Sequence, residues 1–268
     1  MDMDIWWKAV GTAVAMTVVI LTARLAHRRL AGLVAAFPTV TAPALLWLAH
    51  DEGPTFAAAA AVATVASCVM QAGFAVGYAR AARVFGPAGA LACGLAGAGA
   101  AALLALPLGD RMPHAAVAAA VGITLCRWLM PAVDRGAAPR PAAPDNAVVD
   151  IMQPVGSSAV LSTLAASLGA HSGPYAAGLL ASLPVVGVTV AMVEQARYGP
   201  HAAGEFLHSY VDGLFGRLLF GTGFALSVAH VGAAWALLLA VVCSVFASAL
   251  AHRLPAAARR PAEAAQQA

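Results

Sequence analysis

The chain has 268 residues, of which 61% are apolar and only 10% are charged, and its mean hydropathy is +0.81. A soluble domain carries about 25% charged residues, so this chain has too few to cover its surface in water, which excludes a soluble protein. The formal net charge of +3 does not indicate nucleic-acid binding, because the arginines lie between apolar runs. The composition predicts an all-α, polytopic integral membrane protein in contact with the lipid bilayer.

In chain order, runs of the length that crosses a bilayer occur nine times. They lie near 6–25, 31–49, 54–80, 86–107, 114–132, 149–170, 174–194, 201–229 and 231–252. The start of the chain is acidic and lacks the basic region of a signal peptide, so the first span is expected to stay in the membrane. A linker rich in Pro, Ala and charge follows the fifth span at 134–146. The polar tail 255–268 is expected to be disordered.

The second span has a counterpart later in the chain. The stretch AGLVAAFPTV at 31–40 returns as AGLLASLPVV at 177–186, which is 146 positions later, and at the same offset Gly53-Pro54 matches Gly199-Pro200. We therefore predict two four-helix repeats, 4–108 and 150–254, joined by a linker helix and loop over 109–149. Because one span separates the repeats, the second is expected to be inverted in the membrane.

The distribution of basic residues supports this topology. With nine crossing spans, twelve Lys and Arg residues fall on one side and only Lys8 and Arg111 on the other. If the linker helix did not cross, five Lys and Arg residues would lie on one side of the membrane and nine on the other. Since cytoplasmic loops carry the excess of Lys and Arg, the N-terminus is expected outside and the C-terminus in the cytoplasm.

The run AGLVAAFPTVTAPALLWLAHDEGP resembles the GlpM family of small bacterial inner-membrane proteins. The pattern A-G-L-x-x-x-F-P-T, followed by a polar break and a glycine, is carried by Ala31, Gly32, Leu33, Phe37, Pro38, Thr39 and Gly53. The family is one four-helix unit long, so the resemblance covers 4–108 and reaches 150–254 only through the internal repeat, where Leu183 and Val185 replace Phe and Thr. It implies a duplicated, inverted form of that fold in the bacterial inner membrane, and it carries over no activity.

Two prolines are predicted to break membrane helices at equivalent positions. Pro38 and Pro184 each remove a backbone hydrogen bond and free a carbonyl. Nearby hydroxyls would come from Thr39 and Thr41 in one repeat and from Thr189 in the other. Paired broken helices in inverted repeats indicate a substrate site at the membrane midplane. The alternative is a kink used only for packing.

The eighth span, HAAGEFLHSYVDGLFGRLLFGTGFALSVA, contains most of the predicted membrane-embedded charge. At helical spacing Glu205, His208 and Asp212 form one polar stripe, whereas Arg217 shares another face with Tyr210. Gln71 aligns with Arg217 in the first repeat.

These side chains suggest two roles. Arg217 could bind an anionic group, with Tyr210 and Gln71 beside it, and Asp212, His208 and Glu205 could couple protons. The alternatives are an Asp212–Arg217 pair that serves packing, and an interfacial position for Glu205 and His208.

We find no enzyme motif and expect no cofactor. The cysteines fall in separate spans without C-x-x-C spacing, so neither a metal site nor a disulfide is expected. The favoured function is a secondary transporter or flippase for a small-molecule or lipid-linked, anionic substrate. The alternatives are a non-transporting subunit of an envelope biosynthesis complex and a channel. For protein partners, a homodimer and a membrane-complex partner both stay open.

Overall fold

The computed structural model describes residues 36–38, 40–105, 111–132 and 173–253, together with positions 10 and 14. Every regular element in this part of the chain is helical, in agreement with the predicted all-α class. The predicted spans near 6–25 and 149–170, the linker 134–146, the tail 255–268 and Thr39 lie outside the described residues.

Seven longer helices are described: α1 Thr41–Asp51, α2 Pro54–Ala81, α3 Pro87–Ala105, α4 Met112–Leu129, α5 Val185–Tyr198, α6 Pro200–Val231 and α7 Ala233–Arg253. A short helical segment, 173–180, precedes α5. Five stretches are long and apolar enough to cross a membrane: Pro54–Ala81, Pro87–Leu104, Met112–Leu129, Gly173–Tyr198 and Pro200–Val231. This agrees with the membrane protein that the composition predicts.

Two long helices begin with the same backbone geometry. Gly53 precedes α2 with φ 93° and Gly199 precedes α6 with φ 90°. Only glycine adopts this conformation without strain, and the proline that follows each one suits the first position of a helix, where no N–H partner is needed. The Gly-Pro pairs therefore fix where α2 and α6 start.

Helices α2 and α6 pack against each other in antiparallel orientation. At one end, Ala79 and Arg83 near the end of α2 share a cavity of about 20 Å³ with Pro200 and Gly204 at the start of α6. At the other end, the start of α2 packs against Phe220 in the second half of α6. Helix α4 packs on both of them.

Close backbone contacts join α2 to α3 and α6 to α7. Gly73 of α2 faces Gly97 of α3, where a Cβ on Gly73 would lie 2.6 Å from the Gly97 carbonyl oxygen. Gly216 of α6 faces Ser244 of α7 in a similar way. On the outer surface, Leu104, Trp128 and many other large apolar side chains of α3, α4 and α7 are exposed, as expected of lipid-facing helices.

Two predicted spans are interrupted. The span predicted near 31–49 has a non-helical stretch around Phe37 and Pro38, and α1 starts only at Thr41. The span predicted near 174–194 is helical to 180, irregular over 181–184 and helical again from Val185. Since proline lacks an N–H group and clashes with the preceding turn, the irregular stretches coincide with Pro38 and Pro184.

Candidate functional site

The two helix breaks, residues 37, 38 and 40 in the first and 181–184 in the second, meet beside the middle of α6. They are in direct contact, because the Thr41 hydroxyl at the start of α1 donates a 3.0 Å hydrogen bond to the carbonyl oxygen of Ala181. Ala44 packs against the same residue. Each break therefore supports the other at the centre of the helix bundle.

Gln71 of α2 connects the second break to α6. Its side chain is fully buried, and its Nε2 donates to the Ser182 carbonyl at 2.8 Å. Its Oε1 accepts a hydrogen bond of 2.8 Å from the Tyr210 hydroxyl of α6. One side chain thus joins three elements and satisfies a carbonyl that the break leaves outside a regular helix.

Arg217 approaches the first break from α6. It is the eighteenth of the 32 residues of α6 and only 6% exposed. Its Nη2 donates to the Thr41 hydroxyl oxygen, and that hydroxyl donates to Ala181. Arg217, Thr41, Gln71 and Tyr210, which the sequence proposed as binding residues, are thus placed around the two breaks.

The Arg217 charge has no carboxylate partner among the described residues. Its Nε is sealed from solvent and has no acceptor within this part of the chain. Asp212, one turn earlier, instead pairs with Arg127 of α4 at 3.1 Å from Nε to Oδ1, so the described contacts do not contain the alternative Asp212–Arg217 pair. A buried charge without a counter-charge is strongly destabilising, and a bound anion would relieve it.

A small cavity lies between the breaks and α6, and we call it the break cavity. Its volume is about 10 Å³. The first break contributes Phe37 and Val40, the second break and the start of α5 contribute residues 183–187, and α6 contributes Tyr210 and Arg217. The side chains of the lining are apolar except those of Tyr210 and Arg217.

The polar stripe predicted on α6 lies toward the end where α6 begins. His208 Nε2 lies 2.8 Å from the Pro131 carbonyl oxygen that follows α4, and Asp212 pairs with Arg127 of the same helix. Glu205 is partly exposed. His208 and Asp212 thus form a separate cluster on the α4 side, away from the residues that line the break cavity, and Glu205 shares their helix face.

The predicted threonines differ in their placement. Thr41 joins the two breaks, whereas the Thr189 hydroxyl bonds the carbonyl of Val185 in its own helix at 2.9 Å. Thr39 lies outside the described residues. Pro184 lines the break cavity and caps α5, and the carbonyl of Pro38 accepts the Ala42 N–H at 2.7 Å.

Three contributors to the site were not predicted from the sequence. The carbonyls of Ala181 and Ser182 and the first turn of α5 all flank Pro184. The proline was the available signal, because the carbonyls that a break frees and the helix start that follows it must lie next to it. Arg127 had no such signal, since its pairing depends on how α4 packs.

Comparison of the chain with protein-family models, curated proteins and solved structures gave no match. The GlpM resemblance therefore stays a prediction. Among the described residues, no group of three or more His, Cys, Asp or Glu side chains could hold a metal ion.

Proposed function

We propose that this chain is a membrane transport protein that carries a small anion past Arg217, by alternating access between two inverted halves. The observation that carries the proposal is the buried Arg217, which has no carboxylate partner among the described residues and lies where two interrupted helices meet. Transporters built from inverted repeats place substrates at such breaks near the membrane midplane.

Equivalent helices support the inverted repeat. The α2 and α6 helices start at Pro54 and Pro200, and α3 and α7 start at Pro87 and Ala233, so both pairs differ by the predicted offset of 146. Across the two halves, α1 contacts α7 and α3 contacts α5, which are the exchanged pairs that a two-fold relation requires. The antiparallel packing of α2 and α6 supports opposite insertion.

Basic residues support the proposed orientation in the bacterial inner membrane. Arg80 of α2 donates to the Leu129 carbonyl at the end of α4. Gln195 near the end of α5 donates to the carbonyls of Ala82 and Phe85 after α2. The ends of α2, α4 and α5, with Arg80, Arg83, Arg127 and Arg197, thus share one side of the bundle, which we assign to the cytoplasm.

Proton coupling is assigned to Asp212, with His208 and Glu205 on the same helix face. Asp212 lies five residues, or about 7.5 Å along the helix, from Arg217. Its ion pair with Arg127 holds α6 against α4. Protonation of the Asp212 carboxylate would remove this attraction, and α6 could then move relative to α4 as alternating access requires.

The test is anion flux into liposomes that contain the purified full chain. The probes are radiolabelled chloride, acetate, phosphate and sulfate, each supplied separately. At least one should enter, and Arg217→Gln should slow its entry about tenfold or more, since a lost charge-assisted hydrogen bond is worth about 1.5–3 kcal/mol. Arg111→Gln is the matched control, because Arg111 is exposed at the start of α4.

Two results would contradict the proposal. If folded wild-type protein moved none of these anions, the non-transporting membrane subunit would be favoured instead. If Arg217→Gln moved the anion as fast as wild type, the site would not carry the function.

A further inference from the structure

We infer that the substrate is a halide-sized monovalent anion, held in the break cavity between the Arg217 guanidinium and the N-terminus of α5. The inference rests on the proposed function and narrows its substrate class. Its two independent supports are the unused Nε donor of a 94%-buried arginine that lines the cavity and the start of a 14-residue helix at the same place.

The first turn of α5 offers backbone donors to the cavity. Val186 and Gly187 line it, and within the described part of the chain their N–H groups make no hydrogen bond. The first N–H groups of a helix have no partner inside the helix and carry its positive dipole end. This is the arrangement in which helix N-termini bind anions.

The equivalent start of α1 does not offer the same donors. The Ala42 N–H is bonded to the Pro38 carbonyl, and Pro43 has no N–H group. Instead α1 contributes the Thr41 hydroxyl, which accepts from Arg217. The two breaks are therefore unequal: the first positions the arginine, and the second supplies the amides.

The size of the cavity limits the ligand. Its volume of about 10 Å³ is close to the smallest that holds one water molecule, roughly 10–15 Å³. A halide ion is larger than a water molecule, but it needs less widening of the cavity than sulfate, a dicarboxylate or a lipid phosphate. A single uncompensated guanidinium also matches a single negative charge.

The donors of the lining suit a halide. The side chains of the lining are apolar except Arg217, which only donates, and Tyr210, whose hydroxyl donates to Gln71. A halide needs donors alone, and Arg217 and the N–H groups at the start of α5 supply them.

The experiment is thermal unfolding of the purified full chain in detergent, titrated with sodium chloride or bromide against a sodium gluconate background of constant ionic strength. Chloride and bromide should raise the Tm saturably, because an anion that binds only the folded state stabilises it. Sulfate and acetate should not. Arg217→Gln should raise the half-saturating halide concentration about tenfold or more.

A second variant tests the cavity while Arg217 stays in place. In Gly187→Ala the new Cβ would lie 2.9 Å from Cε2 of Tyr210, so the ring must shift within the cavity and halide binding should fall by a similar factor. Gly204→Ala is the matched control, because a Cβ there meets no atom within 4 Å. If Arg217→Gln does not fold, Arg217→Lys replaces it and should show weaker halide binding than wild type.

The inference is overturned if sulfate or acetate raises the Tm saturably and halides do not. It is also overturned if both Arg217→Gln, or Arg217→Lys in its place, and Gly187→Ala bind halide like wild type. Halide binding in detergent without flux of any anion would keep the halide site in the break cavity and overturn the proposed function. Arg217-dependent flux of acetate or sulfate, without halide binding, would keep the proposed function and overturn this inference.

Discussion

At the scale of single residues, the side chains around the two breaks replace backbone hydrogen bonds that the breaks remove. The chain is irregular over 181–184, and the carbonyls of Ala181 and Ser182 accept from Thr41 and Gln71 instead of from the next helical turn. Inside a membrane an unsatisfied carbonyl costs several kcal/mol. Thr41 and Gln71 therefore stabilise the interrupted path of the chain as well as the proposed site.

A double-mutant cycle on Gln71 and Tyr210 tests this role. Tyr210→Phe should destabilise the folded chain by about 0.6 kcal/mol and at most about 1.7 kcal/mol, the range of side-chain hydrogen bonds in membrane proteins. Gln71→Leu should cost more, because it also leaves the Ser182 carbonyl without its donor. The two effects should be less than additive. The measurement is the unfolding free energy in detergent, with Thr124→Val as control, since that exposed hydroxyl bonds only within α4; strictly additive effects would contradict the contact.

Several of the residues that line the site were predicted from the sequence, for physical reasons. Tyr210 and Arg217 are seven residues apart and so share a helix face, and Gln71 followed from the repeat offset. Thr189 was proposed because it lies near Pro184 in the sequence, yet its hydroxyl bonds its own helix. The ion pair between Asp212 and Arg127 could not be predicted, because nothing local in α4 or α6 determines which of their faces meet.

At the scale of elements, small residues determine how closely the helices approach. Helices α2 and α3 cross at Gly73 and Gly97, where each glycine would place a Cβ 2.6 Å from the carbonyl oxygen of the other. Helix association in membranes depends on such close packing, because lipid supplies little hydrophobic driving force. The contact leaves no room for a methyl group.

Gly97→Ala should therefore destabilise the fold by about 1–3 kcal/mol, the usual range for overpacking. Gly99→Ala on the same helix is the control, because a Cβ there meets no atom within 4 Å, and alanine has the higher helix propensity. Thermal unfolding of both variants in detergent measures the difference. Equal transition temperatures would show that α2 and α3 are not packed at these glycines.

The helix starts were more predictable than the extent of the breaks. Gly-Pro pairs are local signals: α2 begins at Pro54, where its span was predicted to start, and α6 begins at Pro200, one residue before the predicted span 201–229. Pro184 predicted an interruption of the span 174–194 but not its length. The length of the interruption depends on partners for the freed carbonyls, and those partners, Thr41 and Gln71, are distant in sequence.

At the scale of the whole molecule, alternating access requires two related halves in opposite orientation. Helix α2 has 28 residues and is about 42 Å long, enough to cross a bilayer. Helix α1 ends next to its start, at Asp51. The end of α5 lies next to its last turn, through Gln195. Equivalent loops therefore lie at opposite ends of α2.

The measurement that tests this claim most directly is the sidedness of two equivalent exposed positions, 50 and 196. His50→Cys and Ala196→Cys are made separately in a cysteine-free background, and intact cells are treated with a membrane-impermeant thiol reagent. His50→Cys should react in intact cells, and Ala196→Cys only after the membrane is permeabilised. The reverse pattern would keep the inverted halves and overturn the assigned orientation. Equal reaction at both positions would contradict the inverted arrangement, and with it a site reached alternately from the two faces of the membrane.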